Sequence, residues 1–415
     1  MSNLALNGAA PLRTEPFTAW PELDGTELGA LEKVLKSGTW GNGGGVQREF
    51  ERQFAKFHGA PDGVSVTNGT ISLVLCLRAL GIKPGDEVIV PALTWIATSL
   101  AVLETNGVPV FADVDRETLC LDPRAVEAAI TRRTVAIIPV HLYRNMADMD
   151  ALTQIAQRHK LGIIEDCAHA HGGAWRDRGA GTLGDLGSFS FQSSKTMTAG
   201  EGGMVFGKPD LLNKVYSQKD CGRVHPDRGQ RMFGGNHRMT EWQAAILLSQ
   251  LGRLESQMQK REASVAKLRE LCAGLPGIRI IADQPQVTRQ ICYRLVFHYD
   301  RREAHGIPLG RFVEAVRAEG VPIERTYPCV YNNQLYATDT ITWYQYPIKV
   351  QRCSVAEALA EEGAFTLPHQ ILLGSQKDLE DVVAVFRKVL SHPDEAASLT
   401  SRAKSEIKGL MRKFL

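Results

Sequence analysis

Between about residue 60 and residue 206, short apolar runs alternate with segments whose apolar residues recur every three or four positions. "GVSV", "DEVIVPA", "VPVFADV", "TVAIIPVHL", "LGIIEDCA", "GSFSFQ" and "GGMVFG" read as strands, while "ISLVLCLRAL", "PRAVEAAI" and "DMDALTQIAQRHK" read as helices. Runs apolar at consecutive positions are buried on both faces, so the pattern predicts an α/β fold with a mainly parallel sheet. From roughly Thr240 a long helical stretch, "TEWQAAILLSQLGRLESQMQKREASVAKLRELC", carries the chain out of that sheet. Beyond it "GIRII", "ICYRLVFHYD", "PLGRFVEAVRAEG" and "QKDLEDVVAVFRKVL" read as a smaller α+β unit. The boundary is placed near residue 250, giving a large domain over 1–250 that includes the N-terminal segment and a small domain over 251–415.

A chain of 415 residues exceeds what one hydrophobic core normally serves, in keeping with two domains. With 44% hydrophobic and 23% charged residues it has the composition of a soluble globular protein. A net charge of +2 supplies no basic footprint, which argues against nucleic acid or an anionic membrane as partner. The eight cysteines contain no C-x-x-C pair and suit a reducing cytoplasm. The opening "MSNLALNGAAPLRTEPF" lacks the apolar core of a secretion signal, and no run is long enough to span a bilayer. A cytoplasmic protein is expected.

Four stretches carry candidate chemistry. In "SVTNGTISLVLCL" a strand, a small polar turn and a helix starting near Thr70 present unpaired amides at a positive dipole end, with Gly69 permitting close approach. That turn either seats a phosphate or simply caps the helix. "GIIEDCAHAHGG" places Glu165 and Asp166 at the carboxyl end of a strand, where ligands of open α/β sheets lie, with His169 three residues on. A helix cap and a satisfied histidine are the plain alternative; a metal set of Asp166, His169 and His171 has no spaced Cys/His partner, and no metal is expected. "FSFQSSKTMTAGEGG" opens on an alternating apolar strand, Phe189 to Phe191, with Ser190 within it, and follows it with hydroxyls and then Lys195. A lysine at the edge of a low-dielectric pocket loses proton affinity and becomes a nucleophile toward aldehydes. Its hydroxyls, Ser193, Ser194, Thr196 and Thr198 among them, either donate to a phosphate or order the loop. "PALTWIATSLAV" sets Trp95 just past a strand, and "GGNHRMTEWQAA" sets Asn236 and Arg238 before a helix, where capping is the simpler role. A phosphate-seeking turn, a carboxylate at a strand end and a lysine at the next strand end are the protein parts that pyridoxal 5′-phosphate requires.

These residues in this order resemble the DegT/StrS family of fold-type I PLP-dependent sugar aminotransferases. The resemblance runs from "LKSGTWGNGG" and "FERQFAKFHGA" through "VTNGT", "IIPVHLY" and "IEDCAHAHGG" to "LPHQILL". It implies that Lys195 is the lysine bonded to the cofactor aldehyde and Asp166 the partner of its pyridine nitrogen. It further implies that His169 lies beside the ring hydroxyl, Trp95 stacks on the ring, and Gly69, Thr70 and Ser190 cradle the phosphate. Asn236 matches an asparagine that reaches the phosphate in the neighbouring subunit, which implies a homodimer with shared active sites.

Within the family, "TWIATSLAVLETNGVPVFADVD" and "QPQVTRQICYRLVFHYD" are similar to the branch that aminates cyclitol ketones such as scyllo-inosose or 2-deoxy-scyllo-inosose, typically with L-glutamine as donor, in aminocyclitol antibiotic biosynthesis. "AHAHG" and "FSFQ" also resemble 3-amino-5-hydroxybenzoate synthase, and a nucleotide-sugar aminotransferase is a further alternative. Arg144 stands where relatives usually carry glycine after "VHLY", which predicts backbone strain there or a side chain reaching the substrate channel. "ERTYPCVYNNQLY" matches loosely, leaving substrate roles for Arg325, Tyr327 and Tyr331 unassigned. A sensor of the same fold would keep Lys195 without turnover. A dehydratase typically carries histidine in its place, and "GNGGG" lacks the G-x-G-x-x-G spacing of a nicotinamide dehydrogenase.

Overall fold

Five strands, β1 (Gly63–Val66), β2 (Glu87–Pro91), β3 (Val108–Ala112), β4 (Thr134–Ile137) and β5 (Gly162–Asp166), are rich in Val and Ile and buried along most of their length. After the two-residue strands β6 (Ala174–Trp175) and β7 (Arg178–Gly179) come β8 (Leu186–Ser190) and β9 (Gly203–Gly207). The computed structural model describes residues 2–224, 231–336, 341–348 and 350–398. In it, all but β6 and β7 join one seven-stranded sheet in the order β1-β9-β8-β5-β4-β2-β3. Only β9 runs against the other six strands of this sheet. Each of the seven corresponds to one of the apolar runs expected, and the fold class is the expected α/β architecture with a mainly parallel sheet.

The helices of this part are α1 (Thr26–Ser37), α2 (Val46–His58), α3 (Gly69–Leu80), α4 (Ala97–Glu104), α5 (Pro123–Ala129), α6 (Met149–His159), α7 (Pro209–Lys219) and α8 (Glu241–Leu271). Side chains fix where several begin: Asn68 Oδ1 accepts Ile71 N–H at 2.9 Å, Asp148 caps α6, and Thr240 with Gln243 forms a reciprocal capping box for α8. None of the described helices is long and apolar enough to cross a membrane.

Alternation along β8 and into the residue after it explains the "SFSFQ" pattern. Phe189 and Phe191 point into the core, with ring centres 5.2 and 5.3 Å from Phe54 of α2. Full burial of each phenylalanine contributes about 2–3 kcal/mol. The intervening Ser188 and Ser190 face α3, where Ser188 Oγ meets Ser72 Oγ and Ser190 lies against Gly69.

The remaining strands are β10 (Ile278–Ile280), β11 (Val287–Arg289), β12 (Arg294–Tyr299), β13 (Glu324–Arg325) and β14 (Ala364–Pro368), with helices α9 (Leu309–Ala318), α10 (Ser354–Ala358) and α11 (Gln376–Leu390). β10-β12-β14-β13 form an antiparallel sheet whose Phe297 and Phe365 stack at 4.9 Å beneath Phe312 of α9 and Phe386 of α11. Helix α8 crosses the expected boundary without a break. It gives Leu247, Leu251, Leu254 and Met258 to the first core and Val265 and Leu268 to the second. Leu4 lies in the second core, whereas Cys329, Val330, Tyr331 and Ala356 return to the first. Packing therefore weaves the two units together more than a single cut near 250 conveys.

Arg144 departs from both expectations. The left-handed residue of its turn is Tyr143, at φ 59°, and Arg144 is not among the positive-φ residues. Its buried guanidinium binds Glu262 of α8 through Nη1 at 2.5 Å and Nη2 at 2.9 Å, and Asp283 at 2.7 Å. It ties the sheet to α8 and points away from the large cavity. Arg144→Ala should cost about 2–3 kcal/mol, the lower end for a buried pair because both carboxylates can rehydrate. A urea midpoint unchanged from the native chain would contradict this.

Candidate active site

The carboxyl ends of β1, β2, β5 and β8 open onto a cavity of about 620 Å³. Gly69, Thr70, Trp95, Asp166, His169, Ser190 and Lys195 all line it. Asn236 does not: it is exposed, pairing with Asp220 through an isolated backbone bridge.

Asp166, the last residue of β5, is buried. Thr98 Oγ1 donates to its Oδ2 at 2.9 Å and Ala168 N–H to its Oδ1 at 3.2 Å. Burial raises its carboxyl above the ordinary 3.8, against those hydrogen bonds and the nearby Lys195 charge. The adjacent Glu165 faces the other side of the strand, where it accepts Gly181, Leu183 and Gly184 N–H and His141 Nε2–H. His141, Glu165 and Cys167 converge within 4.8 Å. His141 Nδ1 accepts Ala147 N–H, so every nitrogen and carboxylate oxygen of that cluster already serves the fold.

Lys195 sits in the loop between β8 and β9, held by its own N–H on Gln192 O at 2.9 Å. It is 8% exposed, with Nζ 4.5 Å from the centre of the Tyr293 ring. Burial lowers its proton affinity below the ordinary 10.5, while the neighbouring Tyr293 and Asp166 oppose that shift. The loop hydroxyls mostly order the loop. Thr198 Oγ1 donates to Phe191 O, Thr196 Oγ1 meets His171 Nδ1, and Ser194 Oγ binds Gln192 Oε1 and Tyr293 Oη.

His169 Nδ1 accepts Tyr143 N–H at 3.1 Å, which leaves the ring proton on Nε2. The ring stacks on Tyr293 at 3.9 Å and on Tyr143 at 5.7 Å. Burial, followed by the Lys195, His171 and Arg294 charges, pushes it well below 6.5, so it is neutral. Trp95, 58% exposed, stands at the mouth with its ring 5.6 Å from Tyr327.

At Gly69 a Cβ would meet Ser190 Cβ at 2.6 Å. Glycine there brings the amide end of α3 against Ser190, and a phosphate fits that end.

The structure adds two residues the sequence did not single out, Thr98 and Tyr293. Thr98, one turn beyond Trp95, holds Asp166, and Tyr293, just before β12, covers Lys195. Tyr327 lines the cavity, with its N–H on Tyr143 Oη at 2.9 Å. Arg325 and Tyr331 do not line it: Arg325 donates to Ala360 O and Glu361 O, and Tyr331 Oη to Glu357. A spacing of i, i+3 after Trp95 was the available signal for Thr98. Tyr293 carries no local signal, since it reaches Lys195 only through the fold.

The model of the DegT/DnrJ/EryC1/StrS aminotransferase family matches residues 21–387. The chain is 40% identical over 410 residues, 93% of it and 96% of the relative, to a Streptomyces kanamyceticus protein provisionally named L-glutamine:3-amino-2,3-dideoxy-scyllo-inosose aminotransferase. It is 39% identical over 418 residues, 95% of it and 99% of the relative, to L-glutamine:2-deoxy-scyllo-inosose aminotransferase of Micromonospora echinospora. Among solved structures it is similar to 3-amino-5-hydroxybenzoic acid synthase, with TM-score 0.82 and 33% identity over 92% of this chain and 100% of that one.

Proposed function

The chain belongs to the DegT/DnrJ/EryC1/StrS aminotransferase family, and from that premise we propose that it moves the amino group of L-glutamine to a cyclitol ketone of the scyllo-inosose class, using pyridoxal 5′-phosphate. The observation that carries the cofactor reading is the convergence of three groups in one cavity: the amide end of α3 beside Ser190, the buried Asp166 carboxylate, and the buried Lys195 amine. Each fits one part of that molecule. Gly69, Thr70 and Ser190 would hold its phosphate, Asp166 its ring nitrogen, His169 its ring hydroxyl, Trp95 its face, and Lys195 its aldehyde. When bound, pyridoxal phosphate supplies an aldehyde that takes up amines and a protonated ring that withdraws electrons.

The chain's own groups do the rest. Lys195 Nζ, made less basic by burial, takes a proton from the donor's α-carbon and in the second half of the cycle returns one to the acceptor carbon. The donor leaves as a keto acid and the ketone as an amine. Asp166 stays ionised next to positive charge and is kept in place by Thr98. Tyr327 and Tyr293 offer hydroxyls at the side of the cavity where a polyol would lie. Asn236, outside its own cavity, fits a role in a homodimer in which it reaches the neighbouring subunit's phosphate. Eight unpaired cysteines, seven of them buried, support a reducing compartment such as the cytoplasm.

The substrate test incubates purified enzyme with L-glutamine and, in separate reactions, scyllo-inosose, 2-deoxy-scyllo-inosose and 3-amino-2,3-dideoxy-scyllo-inosose, and follows amine formation by mass spectrometry. Turnover of at least one is expected. No amine from any of the three ketones, with turnover instead of a carboxylated amino-cyclohexenone to an aromatic amino acid, would favour the activity named for the solved synthase. Gly69→Ala, which forces Ser190 aside, should weaken pyridoxal phosphate binding at least about tenfold in a fluorescence titration. Unchanged affinity would remove Gly69 from the cradle.

A further inference from the structure

His369 opens the turn after β14 and so belongs to the second unit, yet it is buried against the loop that carries Lys195. Its Nε2 lies 3.2 Å from the carbonyl oxygen of Ser194, the peptide group that leads into Lys195. Its Nδ1 faces Arg261 Nη2 at 3.2 Å. A guanidinium only donates, so Nδ1 is the unprotonated nitrogen and the ring hydrogen sits on Nε2, where Ser194 O accepts it. The other tautomer would set a lone pair against that carbonyl. Burial and then the Arg261 charge push His369 well below 6.5, which keeps the ring neutral.

Arg261 comes from α8 and is 2% exposed. Among the described residues no carboxylate pairs with it, and Nε and Nη1 have no hydrogen-bond partner. Of the carboxylates only Glu22 acts on it, from beyond ion-pair distance, and a buried guanidinium so weakly compensated is costly, so an apolar side chain would fill the space at less cost. Its side-chain hydrogen bond goes to His369. Trp20 closes over both, edge-on to His369 at 4.5 Å and 5.6 Å from the Arg261 guanidinium carbon. On the opposite flank His171 Nε2 binds Ser190 O at 2.8 Å, and Nδ1 meets Thr196 Oγ1 at 3.3 Å. The Lys195 loop is gripped by one ring N–H from the large unit and one from the second.

We propose that Arg261 and His369 form a positioning pair: Arg261 locks the tautomer of His369, and His369 fixes the Ser194–Lys195 peptide so that Nζ is held under the Tyr293 ring. The inference rests on the reading of Lys195 as the reacting amine. It gives the second unit a hold on that amine through its loop, with neither Arg261 nor His369 lining the large cavity.

The test compares His369→Phe, His369→Gln and Arg261→Met with the native holoenzyme and with apoprotein stripped of cofactor. Glutamine can accept from Arg261 through Oε1 and donate to Ser194 O through Nε2. The groups that face Lys195, namely Asp166, His169, His171 and Tyr293, are the same in every variant. In apoprotein, the pH dependence of Lys195 reductive methylation by formaldehyde and cyanoborohydride is read by peptide mass. His369→Phe should lower kcat about tenfold to hundredfold with KM changed less than about threefold. The methylation midpoint should move by at least about half a pH unit. His369→Gln should recover most of both, and Arg261→Met should match His369→Phe; if Arg261→Met does not fold, the two His369 variants still decide. A native kcat and midpoint in His369→Phe, or an equal loss in His369→Gln, would overturn the pair. Full turnover by Lys195→Ala would instead bring down the underlying assignment, so the two failures are distinguishable.

Discussion

A Lys195→Ala enzyme should turn over at least about 10⁵-fold more slowly than the native one, a loss of about 7 kcal/mol of transition-state stabilisation. Among the described residues lining the cavity Lys195 is the single cation, and Asp166 is the lining carboxylate whose charge acts on it. Burial of Lys195 lowers the proton affinity of its amine, so the neutral nucleophile is more readily available than on a solvent-exposed lysine. No other group in the cavity combines that nucleophilicity with the reach to shuttle a proton between two carbon atoms. Borohydride treatment of holoenzyme followed by peptide mapping should find the cofactor on the peptide containing Lys195 in the native enzyme and on no peptide in the variant. Lys195→Arg should fail equally, since a guanidinium neither forms the bond nor gives up its proton. Turnover within about tenfold of native in the alanine variant would reject Lys195 as the reacting amine.

The parts of the site that could be read from the sequence are those that sit at the ends of apolar runs. Lys195, Asp166 and Gly69 each follow or end a strand whose pattern marks it as buried, and parallel strands deliver their carboxyl ends to one edge. What was not legible depends on contacts between distant segments. Tyr293 covers Lys195 from 98 positions away, as 293 − 195 gives, and His369 braces the same loop from the far unit. Neither lies in a period or a turn motif that announces such a contact. Arg144 shows the opposite error: its departure from a family glycine suggested the substrate channel, but its partners Glu262 and Asp283 are more than a hundred residues downstream and turn it toward α8. The N-terminal segment was grouped with the large unit by adjacency alone, while Leu4 packs among α9, α11 and the end of α8 in the second core. Local pattern reports which face is buried, and long-range packing decides against what.

Asp166→Asn should separate stability from catalysis, because the two respond to its buried charge with opposite signs. The native carboxyl titrates above 3.8 because burial disfavours its ionised form. Between the unfolded and folded values the native apoprotein binds more protons than the unfolded chain, so its stability falls as pH rises through that window, and the penalty is fully present above it. Asparagine removes the charge while its Oδ1 still accepts from Thr98 or Ala168. The apoprotein variant should therefore melt at the same temperature as the native apoprotein or higher at pH 7. In the proposed function, catalysis needs what the substitution takes away: a fixed anion that would keep the ring nitrogen protonated while negative charge develops on the substrate carbon. The loss of that electrostatic support should lower kcat by about 10³-fold, or about 4 kcal/mol, with the covalent bond to Lys195 still formed. Were Asp166 only a cap for the turn at Ala168, asparagine would serve almost as well, and activity would stay within about tenfold of native. A melting temperature that falls together with an unchanged kcat would assign Asp166 to the fold alone.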